Sequence, residues 1–336
     1  MTNRHTPADT GSARRFAGAM MTALGLAVAT ADAQVKPEKT YYGKNRQMPM
    51  TVTIPEGVTG NAEIHLLRSV TAEVVSKAPV EAGRVDLASL FPQLWQGQGP
   101  GVVYAQLVVN DTRIGPAVVL TPMITPARMT TGPSPDSPPV ARPGVPVFSG
   151  IRASVDVHIV MTTTAGEIVF RMRPDQAPNT TWSFIHLADG GFYDDIIFHR
   201  IIGPRGGRPG FVIQGGDPTG AGSGGPGFQI DLEPSRLPHD FGVLSMARSQ
   251  DLDSAGSQFF ICLSREGTHF LDERYTSFGE AVSGAEVIRA LGAVPTGPQD
   301  RPIEPPRILS MKVVEAPPYG TGPAPLSQQA AAPQPR

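Results

Sequence analysis

The chain has almost no cysteine: Cys262 is the only one among its 336 residues, so no disulfide can form within it. Cys262 lies in the apolar stretch 258–263, where a free thiol is most often a small buried hydrophobic side chain. The surrounding sequence does not form the electropositive setting that makes a thiol reactive. Hydrophobic cores must therefore supply the stability of the fold.

A strong charge of either sign is also missing. The formal net charge of -2 gives no electrostatic argument for binding nucleic acid. An apolar run near the N-terminus extends from Phe16 to about Ala29. It is shorter than the roughly 20 residues that a membrane-spanning helix needs, so stable membrane insertion is not predicted.

This N-terminal run has the order of an export signal. Arg14 and Arg15 precede the apolar stretch, and residues 31–33 (Ala-Asp-Ala) offer small side chains at the cleavage positions. We predict a signal peptide over residues 1–33 and a mature protein in the periplasm or cell envelope. The arginine pair matches a twin-arginine signal only loosely, which favours the general export route.

Glycine and proline are abundant, with 37 and 35 residues, which indicates β-structure with many turns and proline-rich linkers. Within 211–228 (FVIQGGDPTGAGSGGPGF), Gly222, Gly224 and Gly227 have the G-x-G-x-x-G spacing of dinucleotide-binding loops. In those folds a helix follows and its free N–H groups hold the phosphate. Here a short alternating segment broken by prolines follows, so phosphate binding is not predicted.

The chain divides into segments of different character. Residues 39–124 alternate apolar and polar in short runs, which predicts a small all-β domain, most simply a β-sandwich, with a hairpin turn at Asn110-Asp111. Nothing in this domain meets the geometric demands of catalysis, and its partner is unknown. The remaining segments are predicted as a proline-rich linker over 125–150, a second domain over 151–317 and a disordered proline-rich tail over 318–336.

The second domain combines many short strands with two helices. Asn179 is expected to cap a helix over 180–189, and Ser283 and Glu286 form a capping box before a helix that ends near Gly292. Because closing a sheet on itself removes its edge strands, we expect a barrel capped by these helices.

The domain carries a series of motifs: 198–202 (FHRII), the glycine stretch 211–228, 243–247 (VLSMA), 256–262 (GSQFFIC) and 270–280 (FLDERYTSFGE). Over roughly residues 151–315, these motifs and their order resemble those of the cyclophilins, the peptidyl-prolyl cis/trans isomerases. The resemblance implies an eight-stranded antiparallel barrel capped by two helices, in which the glycines only supply turns between strands. It also implies an enzyme for proline-containing polypeptides, which needs no metal or cofactor because no covalent bond changes.

The resemblance assigns roles to individual residues. Arg200 would donate a hydrogen bond to the twisted imide, Gln214 would position Arg200 and the substrate carbonyl, and Phe260 would line the proline slot. These three form the expected catalytic set. The expected substrate-binding residues are Ile202, Phe211, Val212, Ala247, Arg248, Gln258, Phe270, Leu271 and Tyr275. Of these, Phe211, Val212 and Leu271 would line the proline slot with Phe260, and backbone groups near Ala247 and Arg248 would hold the substrate as an added strand.

The sequence departs from the usual family pattern at a few positions. The link after the Arg200 strand is longer than usual, with 203–208 as an insertion. Phe270 stands where many members carry tryptophan, and Tyr275 stands where many eukaryotic members carry histidine. Both variants suit a bacterial-type member, whereas Arg248 replaces a common asparagine.

Two functions are compatible with the sequence. The first is an exported isomerase that speeds the folding of other exported proteins. The second is a non-catalytic binding module that keeps the barrel and acts as a holdase or scaffold. The joint presence of Arg200, Phe211, Gln214 and Phe260 favours the isomerase, because a module released from catalysis would be expected to lose some of them.

The export signal predicts a mature protein that begins at or near Gln34. Intact mass and N-terminal sequencing of the protein from its native host measure this directly. Recovery of the full-length precursor from the soluble cytosol would contradict the prediction.

Overall fold

The computed structural model describes residues 35–97, 99, 101–134 and 137–329. The predicted signal segment, residues 1–33, lies outside these ranges and stays a prediction. Within the described ranges, no helix is both long enough and apolar enough to cross a membrane.

The first domain consists of two antiparallel sheets and a small hairpin. Its elements are β1 (Val35–Pro37), β2 (Tyr41–Gly43), β3 (Pro49–Val52), β4 (Ala62–Arg68), β5 (Val74–Pro79), β6 (Gly83–Asp86), α1 (Leu87–Leu90), a 3-10 helix (Pro92–Trp95), β7 (Val103–Val109), β8 (Thr112–Ile124), β9 (Met129–Thr130), β10 (Val140–Ala141) and β11 (Phe148–Val155). One sheet has the order β1-β3-β6, the other has the order β2-β11-β8-β7-β4-β5, and β9 pairs with β10.

The two sheets share one hydrophobic core. Met50 and Val52 of the three-stranded sheet pack in the same cluster as Ile64, Leu107 and Ile151 of the six-stranded sheet. Each sheet thus buries one face against the other, which is the arrangement of a β-sandwich. The predicted sandwich is confirmed.

The turn between β7 and β8 also follows the prediction. Asn110 and Asp111 form it, and their φ angles are 48° and 64°. Two positive φ angles in succession are what a two-residue hairpin turn with the right twist requires, and Asn and Asp tolerate them.

The second domain is an antiparallel barrel with short helices. Its elements are β12 (Val157–Thr163), β13 (Gly166–Met172), α2 (Pro178–Asp189), β14 (Ile196–Ile197), β15 (Arg200–Ile201), β16 (Val212–Gly215), β17 (Val243–Met246), β18 (Phe259–Cys262), α3 (Arg265–Thr268), a 3-10 helix (His269–Leu271), β19 (Ser277–Ser283), α4 (Ala285–Gly292), a 3-10 helix (Pro298–Asp300), β20 (Arg307–Glu315) and α5 (Leu326–Gln329).

The sheet of this domain returns on itself. Its strand order is β14-β20-β12-β13-β19-β17-β18-β16-β15. β14 and β15 are two halves of one extended segment, 196–201, whose first half pairs with β20 and whose second half pairs with β16. The nine hydrogen-bonded pieces are therefore the eight strands of a closed barrel, as predicted.

Two helices pack on this barrel through apolar side chains. α2 contributes Phe184 and Ala188 to the barrel core, and α4 contributes Val287, Ile288 and Leu291. These positions recur every three or four residues, which places them on one side of each helix.

The helix starts differ from the predicted caps. α2 begins at Pro178, and the N–H of Asn179 donates to the carboxylate of Glu233 at 3.0 Å. α4 follows Gly284, whose φ is 91°, and Ser283 makes no capping hydrogen bond. The carboxylate at α2 comes from a distant loop, and the left-handed Gly284 takes the capping position that the pattern assigned to Ser283.

The boundary between the domains differs from the predicted linker. β11 pairs with β8 and β2 of the sandwich, so residues 125–147 leave one sheet and return to the same sheet. The connection to the barrel is Asp156 alone, between β11 and β12. The predicted domain start at 151 therefore falls inside a sandwich strand. The proline-rich residues connect two strands of the same sheet and do not separate the two domains.

Residues 318–329 differ from the predicted disordered tail, and the rest of that prediction, residues 330–336, lies outside the described residues. Tyr319 stacks on Tyr104 with ring centroids 3.6 Å apart, and its N–H donates to Gln106 Oε1 at 2.8 Å. Its hydroxyl donates to the carbonyl of Ser69. Leu326 is buried in the barrel core. Two large side chains thus fasten a proline-rich segment to both domains.

Arg152 of β11 joins the domains a second time. Its guanidinium lies 4.7 Å from the ring centroid of Trp182 and donates to the Pro178 carbonyl at 2.7 Å and to Asn179 Oδ1 at 3.3 Å. Since β11 belongs to the sandwich and α2 belongs to the barrel, this buried arginine holds the start of α2 against the first domain.

Tyr319→Ala is expected to lower the free energy of unfolding by about 2–3 kcal/mol, because it removes a stacked ring and a hydrogen bond from a partly buried position. Denaturant unfolding of the full chain measures this. Tyr41→Ala removes the same side chain from a position that is 55% exposed and should cost less than about 1 kcal/mol. Equal costs would show that the stack does not hold the C-terminal segment.

Candidate active site

Alternating side chains on neighbouring strands build the wall of the site. Ile213 and Ile261 lie in the barrel core, so Gln214 and Phe260, the residues next to them, lie on the outer face. The strand register places Arg200 opposite Gln214, and Gln214 opposite Phe260. One row across β15, β16 and β18 thus brings together the three residues of the expected catalytic set.

Hydrogen bonds fix the polar side chains of this row. Arg200 Nη1 donates to Gln214 Oε1 at 3.3 Å, and Gln214 Nε2 donates to Gln258 Oε1 at 3.1 Å. Gln258 Nε2 donates in turn to the carbonyls of Gly222 and Gly224, at 3.1 and 2.9 Å. Both amide side chains therefore have a defined orientation.

Arg200 has a further partner that the sequence did not predict. Its Nε lies 3.8 Å from Asp300 Oδ2, and both side chains are partly exposed. An ion pair of this length at the surface is weak. The guanidinium thus stays accessible from the groove beside it, while Asp300 and Gln214 hold it in place.

An apolar cluster separate from the barrel core lies beside the polar row. Its buried members are Val212, Leu237, Val243, Phe260, Cys262 and Leu271, and the partly exposed side chains packed against them are Phe211, Ala247 and Tyr275. Burial strongly raises the pKa of the Cys262 thiol, which agrees with its predicted role as a small hydrophobic side chain. The structure thus brings together all the residues expected to line the proline slot.

Four of the expected substrate-binding residues lie outside this cluster: Gln258 in the polar row, Arg248 beside Tyr275, and Phe270 and Ile202. Phe270 is 51% exposed and stacks on Phe211, with ring centroids 5.6 Å apart, so it forms part of the rim. Ile202 contributes through its backbone, because its carbonyl accepts from the N–H of Phe211 and its N–H donates to the carbonyl of Val212. It thereby holds the two slot residues in register.

An open cavity of about 890 Å³ continues the groove. It is lined by Ala247, Arg248, Gln258 and the loop 222–227, among other residues. The guanidinium of Arg248 lies 4.6 Å from the ring centroid of Tyr275. Of the described residues that line this cavity, Arg248 alone carries a charge.

The carboxylate of Asp217 accepts hydrogen bonds from backbone N–H groups of the glycine loop. It accepts from the N–H of Thr219 at 2.7 Å and from the N–H of Gly222 at 2.5 Å. Burial by itself raises the pKa of Asp217, but hydrogen bonds, with that from Gly224 the largest, lower it to about 2. A Cβ at Gly224 would lie 2.1 Å from Asp217 Oδ1. The loop therefore already binds an internal anion.

Sequence reasoning missed a polar network beneath Phe260. The ring of His239 lies nearly parallel to that of Phe260, with centroids 6.1 Å apart. Its Nδ1 is 3.1 Å from Asp272 Oδ1 and its Nε2 is 2.9 Å from Ser245 Oγ. Although these residue types form hydrolase triads, His239 and Ser245 are fully buried and cannot meet a substrate. The network therefore supports the slot from below.

Comparison with known proteins gives relatives for the barrel. A family model described as "Cyclophilin type peptidyl-prolyl cis-trans isomerase/CLD" matches residues 158–313. Peptidyl-prolyl cis-trans isomerase-like 1 of Gibberella zeae is 40% identical over 163 residues, which are 47% of this chain and 95% of the relative. Peptidyl-prolyl cis-trans isomerase ppi1 of Schizosaccharomyces pombe is 40% identical over 157 residues, which are 45% of this chain and 96% of the relative.

A solved structure is similar to about half of the chain. It is the crystal structure of a Cryptosporidium parvum cyclophilin type peptidyl-prolyl cis-trans isomerase in the presence of the dipeptide Ala-Pro. It shares 33% sequence identity, covers 47% of this chain and 99% of its own chain, and gives a TM-score of 0.43. These named relatives are eukaryotic, so the bacterial-type assignment stays a prediction.

Phe260→Ala is expected to lower the free energy of unfolding by about 3–5 kcal/mol, because Phe260 is buried and its loss leaves a cavity above His239. Denaturant unfolding of the full chain measures the loss. Phe228→Ala removes the same ring from an exposed position beside the groove and should change the stability by about 0.5 kcal/mol or less. A similar small loss for Phe260→Ala would argue against a packed slot.

Proposed function

The chain belongs to the cyclophilin-type peptidyl-prolyl cis-trans isomerases, and we propose that its barrel speeds the folding of exported proteins by stabilising twisted X–Pro bonds without covalent chemistry. The observation that carries this mechanism is the position of the Arg200 guanidinium in one row with Gln214 and Phe260. A hydrogen-bond donor and an apolar slot thus face the same groove.

The chemistry follows from the barrier to rotation. Turning an X–Pro bond costs about 20 kcal/mol because the imide resonance must break. At the twisted geometry the nitrogen becomes pyramidal and gains a lone pair, which a guanidinium stabilises by donating a hydrogen bond. Arg200 is the donor in this mechanism. A donor that acts only on the twisted state lowers the barrier, since it does not stabilise the planar ground states equally.

Gln214 sets the position of that donor. Its Oε1 accepts from Arg200, and one of its two amide N–H groups donates to Gln258. An amide NH₂ carries two donors, so the second N–H is available for the substrate carbonyl. Because Gln258 is itself bonded to the glycine loop, this arrangement is organised before the substrate binds.

The apolar cluster supplies the proline slot. Val212, Phe260 and Leu271 form its buried wall, and Phe211 lies at its edge. A proline ring placed there would exchange water for apolar contacts, while the residue before it extends toward Arg200. The ring is then held still and the chain on the other side of the imide bond is free to turn.

The backbone near Ala247 determines how an extended substrate is held. The N–H of Ala247 already donates to the Gln258 carbonyl at 2.9 Å. Among the described residues, the N–H of Arg248 has no hydrogen-bond partner. The substrate strand is therefore proposed to bond to the Ala247 carbonyl and the Arg248 N–H.

Arg200→Ala is expected to lower kcat/KM by about 10²–10³-fold, the scale for the loss of one preorganised donor, with about 0.5 kcal/mol or less of stability lost. Arg200→Lys should also lose most activity, because an ammonium lacks the rigid fork of the guanidinium. Arg68→Ala, which removes an exposed, carboxylate-paired arginine in the first domain, is the matched control and should be fully active. A protease-coupled or NMR exchange assay with an Xaa-Pro peptide measures all variants in the full chain.

The outcomes separate the alternatives. A fully active Arg200→Ala variant would overturn the mechanism, and a wild-type chain without activity would favour the holdase or scaffold function.

The wild-type rate should be nearly flat from about pH 6 to 9, because guanidinium groups keep their charge and burial lowers the pKa of His239 to about 4. A bell-shaped profile from folded protein would indicate general acid–base catalysis instead.

A further inference from the structure

A second cavity, here called the seam cavity, lies where the sandwich, the barrel and the C-terminal segment meet. Its volume is about 260 Å³. That is the space of about nine water molecules, so it suits a ligand of several heavy atoms. Its lining comes from the turn 70–72, from Asp156 between β11 and β12, from His158 of β12, from Arg171 of β13, and from residues 316–320, 322–325 and 328.

Two buried polar side chains line the seam cavity without a side-chain partner. Asp156 is 9% exposed and His158 is 8% exposed. The N–H of Val157 donates to the Asp156 carboxyl, and within the described part of the chain no side chain does. The ring of His158 likewise has no hydrogen bond to any described residue. Because both side chains line the cavity and have hydrogen-bonding capacity to spare, a ligand in the cavity can bond to both of them.

The charges around these residues leave one carboxyl unbalanced. Arg171 Nη2 donates to Glu280 at 3.1 Å. Arg173 donates to Asp175 at 2.7 Å and also bonds to Glu280. Two guanidinium groups therefore face two carboxylates, and the pairs neutralise each other. When Asp156 ionises, it shares the positive charge of Arg171 with Glu280, so the three carboxylates exceed the two guanidinium groups by one.

The protonation states of the two lining groups define which ligand they can take. Burial raises the pKa of Asp156 to about 7, and burial, with a smaller effect of the Arg171 charge, lowers the pKa of His158 to about 4. Near neutral pH the cavity therefore holds a carboxyl that can ionise and an imidazole that is uncharged. The uncharged ring keeps one nitrogen lone pair as an acceptor.

We propose that the seam cavity binds a small aliphatic amine, whose primary ammonium group donates hydrogen bonds to the Asp156 carboxylate and to a ring nitrogen of His158. The ammonium supplies a second positive charge beside Asp156, in addition to Arg171, and several N–H donors in one compact group. The alkyl part would contact Val70, Ala316 and Pro317, which line the same cavity. This site is separate from the groove, so it does not depend on the proposed isomerase mechanism.

The proposal predicts how binding changes with pH. An ammonium binds to the ionised form of Asp156 and therefore lowers its pKa, and its affinity rises as that carboxyl loses its proton. With a pKa of about 7, the ionised fraction increases about tenfold from pH 6 to pH 8. The affinity should rise by a similar factor and then level off. Protonation of His158 plays no part in this range, since its pKa lies near 4.

Titration of the full chain with propylammonium chloride tests the site. Carbon-13 NMR of the aspartate carboxyls should show saturable binding at pH 8, about tenfold weaker binding at pH 6, and a lowered pKa for Asp156. Tetramethylammonium has the same charge but no N–H donor and should not bind. Equal binding of both cations, or no saturable binding of propylammonium at pH 8, would overturn the proposal.

Matched variants locate the ligand. Asp156→Asn keeps the shape of the side chain and removes its charge, so it should weaken propylammonium binding at least tenfold. Asp111→Asn makes the same change in an exposed turn and should leave binding unchanged. Unchanged binding to Asp156→Asn would overturn the proposal. If that variant does not fold, the pH dependence and the two-cation comparison in the wild-type chain decide it.

Discussion

The two-residue repeat of side chains along a β-strand is the constraint that ties the candidate site to the barrel. Ile213 lies in the core and Gln214 in the groove, and Ile261 and Phe260 repeat this arrangement on the next strand. A shift in pairing by one residue would place Gln214 in the core and Ile213 in water. The hydrophobic core therefore enforces the register that the site needs. Closure of the barrel through segment 196–201 then adds Arg200 to the row.

The parts of the molecule that the sequence predicted are those encoded by contiguous residues. The motif around Gln214 and the one around Phe260 each fill a single strand, so their alternation and their place in the groove follow from local order. The turn at Asn110-Asp111 is also local, since it depends on two residues that tolerate positive φ. The pairing of Asp300 with Arg200 has no such signal, because it exists only after the barrel has closed.

The same reasoning explains the two segments whose structure was not predicted. Proline-rich composition describes the average of a segment, whereas a few large side chains decide whether it is held. Phe148, Ile151 and Ala153 alternate toward the sandwich core, so β11 belongs to the first domain despite the prolines that precede it. Tyr319 and Leu326 likewise hold the C-terminal segment in place. Tyr319 packs against an apolar cluster of the first domain, and Leu326 packs in the barrel core.

The contacts of Tyr319 also constrain the order in which the molecule is completed. Its N–H bonds to Gln106 across 213 positions, and its hydroxyl bonds to Ser69 across 250 positions. Contacts between such distant residues form late, because a long loop must close before they contribute any stability. Although the first domain is synthesised first, its contact with Tyr319 therefore forms last. A chain that is synthesised from its N-terminus leaves the ring of Tyr104 without its stacking partner until Tyr319 has been added.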